Sequence, residues 1–134
     1  MTRINCGIPP VELTNKHLIA EHREIKRIPN CIAKGRYSLK GKPDVFTLGT
    51  GHVKFFYDKL LYLQKRYHQI YSECLKRGFN VTYFGDCFNN LPNELCNDYS
   101  PTDRDRKIIR QRIKERLWNI ICYYDHYLFT INVK

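Results

Sequence analysis

The sequence predicts an all-α fold: a compact single domain, residues 1–134, of three main helices with long connecting loops. An apolar stripe with helical spacing runs through residues 56–74. A proline pair precedes a seven-residue apolar repeat near the N-terminus, and a Ser-Pro-Thr-Asp sequence precedes a basic segment from residue 104. The length of 134 residues is typical of one domain with one hydrophobic core.

The first helix is predicted from about Val11 to Ile28, because Pro9-Pro10 precede it and proline is favoured in a first helical turn. Pro29 is expected to end this helix. Residues 30–51 contain four glycines and are expected to form a loop. The predicted inward face consists of apolar residues that recur every seven positions or lie beside them: Val11, Leu13, Leu18, Ala20 and Ile25.

The second helix has the clearest pattern, an apolar stripe whose spacing alternates between four and three residues. Gly78 is expected to cap its C-terminus. Residues 79–99 are rich in Asn, Asp and aromatic side chains and are expected to be irregular. Loops this long in a small domain are usually functional. The predicted stripe is Phe56, Leu60, Leu63, Tyr67, Ile70 and Cys74.

The third helix is expected to begin at Ser100 as the N-cap, with Pro101 at the first helical position and Asp103 in the first turn. Its predicted inward residues are Ile109, Ile113, Leu117 and Ile120. No stretch approaches 18 apolar residues, so the sequence predicts no membrane span. The N-terminus lacks the apolar core of a signal peptide, so secretion is not expected.

The six cysteines are widely spaced and include no CxxC pair. Without a secretion signal, reduced thiols are the favoured interpretation. Cys87 and Cys96 are the nearest pair, and no histidine lies near them, so no metal site is predicted. Cys74 has a core spacing, where cysteine behaves as a small hydrophobic residue.

The formal charge of +10 indicates a polyanionic partner, with nucleic acid favoured over a membrane surface. Residues 102–116 hold seven basic and three acidic side chains, and residues 21–42 hold seven basic and two acidic ones. Arg23 with Arg27, and Arg112 with Arg116, have the i, i+4 spacing of one helix face. A solvated helix face is the alternative, but two separate basic segments favour phosphate binding.

Glu24 is the exception within the first basic segment, since a carboxylate there weakens phosphate binding. It either pairs with Arg27 or Lys16, or has a chemical task. His17 and Glu21 share its predicted helix face, and the three form either a proton-handling cluster or a polar shelf.

Five segments resemble the phage-type pyrimidine dimer DNA glycosylases. They are MTRIN, HLIAEHREIKRIP, LGTGHVKFFYDKL, ECLKRGFN and NDYSPT, and the resemblance stays in register over residues 1–80 and 97–116. The resemblance implies action on UV-damaged double-stranded DNA, with excision of the 5′ base of a cyclobutane pyrimidine dimer and strand nicking by β-elimination at abasic sites. It also implies a Schiff base on the α-amine of Thr2 after removal of Met1, and no cofactor.

The resemblance assigns the catalytic carboxylate to Glu24 and a nearby histidine to His17. The implied DNA-facing cations are Arg3, Arg23, Arg27, Lys34, Arg112 and Arg116. We expect a monomer located in the cytoplasm, or wherever the host cell holds its genomic DNA. The basic loop at residues 30–42 and the third helix would hold a bent duplex from which an adenine opposite the dimer is expelled.

A terminal amine suits Schiff-base chemistry because its pKa of about 7.7–8.0 leaves roughly 15 % unprotonated at neutral pH, far more than a lysine. A carboxylate near the sugar can stabilise positive charge and assist proton transfer.

Two alternatives stay open: a catalytically silent DNA-binding protein, and a glycosylase with a broader lesion range. The LGTGH turn either offers N–H groups to a phosphate or is simply a tight turn. The aromatic residues near the C-terminus serve either binding or packing: Tyr123, Tyr124 and Tyr127.

Overall fold

A computed structural model describes residues 2–117 of the chain. These residues contain no β-strand, which confirms the predicted all-α class. One 3₁₀ turn precedes the first helix, at Pro10–Glu12, and two follow the fourth, at Gly85–Phe88 and Asn93–Leu95. The described helices are α1 (Asn15–Glu24), α2 (Arg27–Ala33), α3 (His52–Phe55), α4 (Leu60–Lys76) and α5 (residues 103–117).

The predicted apolar stripe forms the centre of the core, and α1 packs against α4 along it. All six stripe residues are buried, and Gly78 follows the last turn of α4 with a φ of +80°. Only the start of the helix is wrong. Phe56 ends the short helix α3, and a turn at residues 57–59 precedes α4. The four-residue spacing between Phe56 and Leu60 therefore arises across two helices.

The predicted first helix is two helices, and its bounds are wrong at both ends. Thr14 caps α1, because its hydroxyl accepts the His17 backbone N–H at 3.2 Å. Val11 precedes this cap and is 70 % exposed, so its predicted inward position is wrong. Pro29 does not end a helix but lies in the first turn of α2. Because proline lacks an N–H, it is tolerated only there, and α1 must end before it.

Helix α5 begins two residues later than predicted. Its N-cap is Thr102, whose hydroxyl accepts the Asp105 N–H at 3.2 Å, while the Asp105 carboxylate accepts the Thr102 N–H at 3.0 Å. This reciprocal capping box replaces the predicted cap at Ser100. Ile109 is buried as predicted and Ile113 packs at the core edge. Leu117 is 39 % exposed because α5 has passed the core by then, and Ile120 lies outside the described residues.

The N-terminal segment, residues 3–8, is a non-helical peptide with a turn at residues 6–7, and it lies in the core between α1, α4 and α5. Ile4, Cys6 and Ile8 are fully buried. The Gly7 N–H donates to the Tyr62 hydroxyl of α4 at 3.3 Å. Arg106 of α5 donates to the Gly7 carbonyl at 3.3 Å. The start of the chain is therefore fixed to three helices.

The predicted loop at residues 30–51 is irregular from residue 34, while its first residues belong to α2. Cys6 and Cys74 are buried, and the five cysteines of the described part are unpaired. No cluster of three or more potential metal ligands occurs within residues 2–117. Across the same residues, no helix is both long enough and apolar enough to span a membrane.

Candidate active site

The first residues of the chain meet the C-terminal turn of α1. The backbone N–H of Arg3 donates to Oε2 of Glu24 at 3.3 Å, in a partly buried contact. Thr2 is the next residue towards the N-terminus and is partly exposed. Because one residue spans at most about 3.6 Å, the Thr2 nitrogen lies within about 7 Å of that carboxylate oxygen. The two residues that the resemblance assigns to catalysis are therefore neighbours.

Glu21, one turn earlier on α1, is fully occupied by structural contacts. Its carboxylate accepts hydrogen bonds from two nitrogens of the Arg66 guanidinium, Nε at 2.8 Å and Nη2 at 3.1 Å. It also accepts the Asn5 side-chain amide at 2.7 Å and the Asn5 backbone N–H at 3.3 Å. Arg66 in turn donates to the Ile8 carbonyl. Both charges are buried, so Glu21 is a structural anchor of the N-terminal segment rather than a free proton carrier.

Glu24 instead faces a pocket beside the N-terminal segment. Its side chain is 14 % exposed. Within residues 2–117, its ion-pair contact is to Arg23, at 3.7 Å. The alternative pairings with Arg27 and Lys16 do not form. Within the part of the chain that the structure describes, this long contact with Arg23 is its ion pair, so the carboxylate remains available to a ligand in the pocket. The pocket is lined by Arg3, Asn5, His17, Ala20, Glu21, Glu24 and Arg116.

Cations from two distant parts of the chain converge on this pocket. Burial, followed by the positive charges of Arg116 and Arg112, lowers the pKa of Arg3, and Glu24 opposes the shift. The α5 arginines therefore lie close enough to the N-terminal segment to repel its guanidinium. With the Glu21 charge neutralised within the core, two cationic side chains and one free carboxylate line the pocket. This balance suits a phosphate-bearing ligand.

His17 lies at the edge of the same pocket. Its Nδ1 lies 3.0 Å from the Thr14 hydroxyl. Burial lowers its pKa, and the charges of Arg116 and Arg3 lower it further. The imidazole is therefore mainly neutral at physiological pH.

A family model described as pyrimidine dimer DNA glycosylase matches residues 1–84, which is more than half of the chain. The chain belongs to the pyrimidine dimer DNA glycosylase family. This confirms the resemblance drawn from the sequence motifs and makes DNA the substrate class. The matched region contains Glu21, Glu24 and all of α4, whereas Arg112 and Arg116 lie beyond it.

In this glycosylase family member, Arg23 and Arg27, whose spacing predicts one helix face, belong to two successive helices. Arg23 belongs to the last turn of α1, and Arg27 is the first residue of α2, after the helix break. Both side chains are exposed, as is Lys34 at the end of α2. None of the three lines the Glu24 pocket. Arg112 and Arg116 do share α5, as their spacing predicts.

The basic α5 of this family member is less available for DNA than its composition indicates. Arg104 donates to the Phe46 carbonyl at 2.9 Å. Arg106 binds the Gly7 carbonyl, and Arg110 forms a 3.2 Å ion pair with a glutamate of the first 3₁₀ turn. Three of its seven basic side chains therefore contribute to packing. No local sequence pattern predicts these long-range contacts.

The LGTGH segment forms a tight turn that aims a buried histidine at the N-terminal segment. Gly49 and Gly51 have φ values of +71° and +91°. A Cβ on Gly51 would lie 2.8 Å from the Pro43 side chain, so glycine is required there. His52 then bonds the Ile4 backbone. The tight-turn interpretation accounts for both glycines, and the four-residue helix α3 is too short to form an anion site. The tail residues Tyr123, Tyr124 and Tyr127 lie outside the described residues.

Proposed function

We propose that this protein is a DNA glycosylase with AP-lyase activity that excises the 5′ base of cyclobutane pyrimidine dimers. The α-amine of Thr2, freed by removal of Met1, acts as the nucleophile, and Glu24 is the catalytic carboxylate. The observation that carries the proposal is the contact of Glu24 with the Arg3 N–H at 3.3 Å. It brings a solvent-accessible carboxylate next to the residue that would bear the amine.

The reaction starts when the unprotonated Thr2 amine attacks C1′ of the damaged nucleotide. The glycosyl bond breaks, and its electron pair leaves with the base. The sugar ring then opens at O4′ to give a protonated imine. The imine acidifies the C2′ proton, and removal of that proton expels the 3′ phosphate by β-elimination. Water hydrolyses the imine and restores the amine.

The charges around the pocket suit both steps of the reaction, base excision and β-elimination. Arg3 and Arg116 disfavour an additional positive charge, so they lower the pKa of a neighbouring ammonium and increase the free amine. Glu24 stabilises the positive charge that develops on the sugar, and it accepts or returns protons. An acidic side chain within a phosphate-binding face then has a clear role.

DNA binding in this proposal uses the exposed cations on both sides of the pocket. Arg23, Arg27 and Lys34 present charge from α1 and α2, and Arg112 and Arg116 present it from α5. Neutral His17 contacts the DNA near the reacting sugar without adding charge there. A bent duplex with an expelled adenine would lie across this surface. The resulting affinity depends strongly on salt.

Borohydride trapping on an abasic duplex tests the nucleophile. The protein with a processed N-terminus should form a covalent adduct. Thr2→Gln, whose large side chain prevents Met1 removal, should form none. Thr2→Ser is the matched control, because it keeps a small second residue and a free amine. A processed protein that binds DNA and forms no adduct would support the catalytically silent alternative and refute the proposal.

Lesion choice requires a separate comparison of duplexes that are UV-irradiated, oxidised or undamaged. Dimer-specific excision predicts strand nicking in the irradiated duplex alone, because the cleaved 5′ base stays joined to its 3′ neighbour through the cyclobutane ring and is not released. Comparable nicking of oxidised DNA would instead support the broader glycosylase.

A further inference from the structure

His52 uses both ring nitrogens to connect a loop to the N-terminal segment. Its Nδ1 lies 2.9 Å from the Thr47 carbonyl oxygen, and its Nε2 lies 2.9 Å from the Ile4 backbone nitrogen. A carbonyl can only accept, so Nδ1 carries the proton and Nε2 accepts the Ile4 N–H. This pattern defines one neutral tautomer with one orientation.

The orientation of this imidazole is fixed by its surroundings. His52 is 4 % exposed and begins α3, directly after the Gly51 turn. Phe46 and Phe56 pack edge-on against its ring, with centroid separations of 5.4 and 5.5 Å. A buried ring held by two aromatic residues and two hydrogen bonds has little freedom to tilt. The Ile4 amide is therefore held by a rigid partner.

Two side chains hold successive backbone N–H groups beside the N-terminus. Glu24 accepts from Arg3 at 3.3 Å, and His52 accepts from Ile4 at 2.9 Å. The Glu24 contact is longer and belongs to the carboxylate that must respond to the substrate. The His52 contact is shorter, buried and independent of the reacting groups, so it can keep the backbone in place while Glu24 changes partners.

We propose that His52 is a positioning residue: through the Ile4 N–H, it fixes the backbone at residues 2–4 so that the Thr2 amine faces the Glu24 pocket. This inference rests on the proposed function, because it concerns the same amine. A small displacement of a nucleophile lowers the reaction rate steeply even when binding is unchanged. His52 therefore affects the chemical step and not the affinity for DNA.

Burial supports this role because it lowers the pKa of His52 and keeps Nε2 available as an acceptor. The Thr47 carbonyl opposes the shift, the charge of Arg3 adds to it, and the charge of Glu21 opposes it. These are the groups that face the ring from the loop, the N-terminal segment and α1. If Nε2 were protonated, its N–H would face the Ile4 N–H, and the hydrogen bond between them would be lost.

Two substitutions separate the two hydrogen bonds. His52→Gln places an amide oxygen near the position of Nε2 and can still accept from Ile4, whereas His52→Asn reaches only the position of Nδ1. We expect His52→Asn to lower the single-turnover rate of imine formation about 10- to 100-fold, with an unchanged Kd for a duplex carrying a tetrahydrofuran abasic analogue. His52→Gln should retain most of the rate. His22→Asn is the control, because His22 is equally buried but bonds Tyr67 instead of the N-terminal segment.

Hydrogen exchange at the Ile4 amide gives a readout that does not depend on activity. Exchange should accelerate in His52→Asn and stay slow in His52→Gln and His22→Asn. A His52→Asn protein with the wild-type rate would overturn the proposal. So would equal rate losses in all three variants, since that pattern indicates general destabilisation. Wild-type protein that traps no abasic DNA refutes the proposed function, and the exchange data then decide separately whether His52 anchors Ile4.

Discussion

Glu21 and Glu24 lie three residues apart on α1, and both accept a backbone N–H from the N-terminal segment. Their surroundings nevertheless differ greatly. Glu21 is 1 % exposed and its carboxylate is satisfied by Arg66 and Asn5. Glu24 faces a pocket, and among the described residues its ion-pair contact is to Arg23, at 3.7 Å. One carboxylate holds the segment in place, and the other remains free to act on a ligand.

The two carboxylates differ in their contacts because one lies in the core and the other lines a pocket. The Glu21 carboxylate points into the core, where a buried charge is tolerated only with a paired and hydrogen-bonded partner. The Glu24 carboxylate lines the pocket that Arg3 and Arg116 also line, and its side chain keeps some contact with solvent. Adjacent turns of one helix therefore carry a carboxylate that supports the N-terminal segment and a carboxylate that lines the pocket.

The largest expected effect separates these two carboxylates by activity. Glu24→Gln should lower the rate of dimer excision about 100- to 10 000-fold, because an amide can neither stabilise the developing positive charge nor exchange protons. Binding of the irradiated duplex should persist. Single-turnover excision with gel-shift binding measures both, and Glu94→Gln on the exposed surface is the control. Unimpaired excision by Glu24→Gln would refute its catalytic role.

A second comparison separates Glu21 from a more exposed ion-paired glutamate by the free energy of unfolding that each substitution costs. Glu21→Gln should lower the free energy of unfolding by about 3–5 kcal/mol, because it leaves the buried Arg66 charge without a partner. Urea denaturation measures this loss. Glu73→Gln, which breaks the i, i+4 pair with Arg77 on α4, should cost only about 0.5 kcal/mol. Equal losses from the two substitutions would mean that burial does not distinguish these ion pairs.

The DNA-facing cations give a smaller effect, which is measured by salt dependence. If Arg3, Arg23, Arg27, Lys34, Arg112 and Arg116 all contact phosphates, log K against log salt should have a slope of about −5. Replacing Arg112 and Arg116 by Gln should make the slope shallower by about 1.8, because each phosphate contact contributes about 0.9. Lys76→Gln, at the end of α4, should leave it unchanged. A wild-type slope near −1 would mean that most of these side chains are only surface charge.

The smallest effect concerns pH. Burial lowers the pKa of both His22 and His52 below the ordinary value of 6.5, so the unfolded chain binds more protons than the folded one below that pH. Stability should therefore be level between about pH 7 and 8 and decline as pH falls from 6.5 to 5, by less than the loss from Glu21→Gln. Urea midpoints across this range measure the decline. His52→Gln should make it shallower, and an unchanged decline would assign it to other groups.

The sequence predicted the parts of the fold that depend on local periodicity. The stripe of α4 and its Gly78 cap are confirmed because apolar spacing and left-handed glycine caps are properties of one segment. The bounds of α1 were wrong because Pro29 restricts the helix in which it lies as well as the one before it. Leu117 has the right spacing but lies beyond the core, which no local pattern reveals.

The candidate site was predicted through motifs, not through its contacts. Glu24 stood out as an acidic side chain among basic ones, and the structure places it in a pocket with Arg3 and Arg116. The Arg66 partner of Glu21 and the Ile4 partner of His52 lie 45 and 48 residues away along the chain. Pairings over such distances follow from the packing of α1, α3 and α4, and a single sequence carries no signal for them.

The identity of the trapped nucleophile tests the central claim most directly. After borohydride reduction on an abasic duplex, nuclease and protease digestion followed by mass spectrometry locates the sugar remnant in the protein. The account predicts that the remnant lies on the α-nitrogen of Thr2, beside the residue whose N–H contacts Glu24. A remnant on an internal lysine, with Thr2 unmodified, would contradict it.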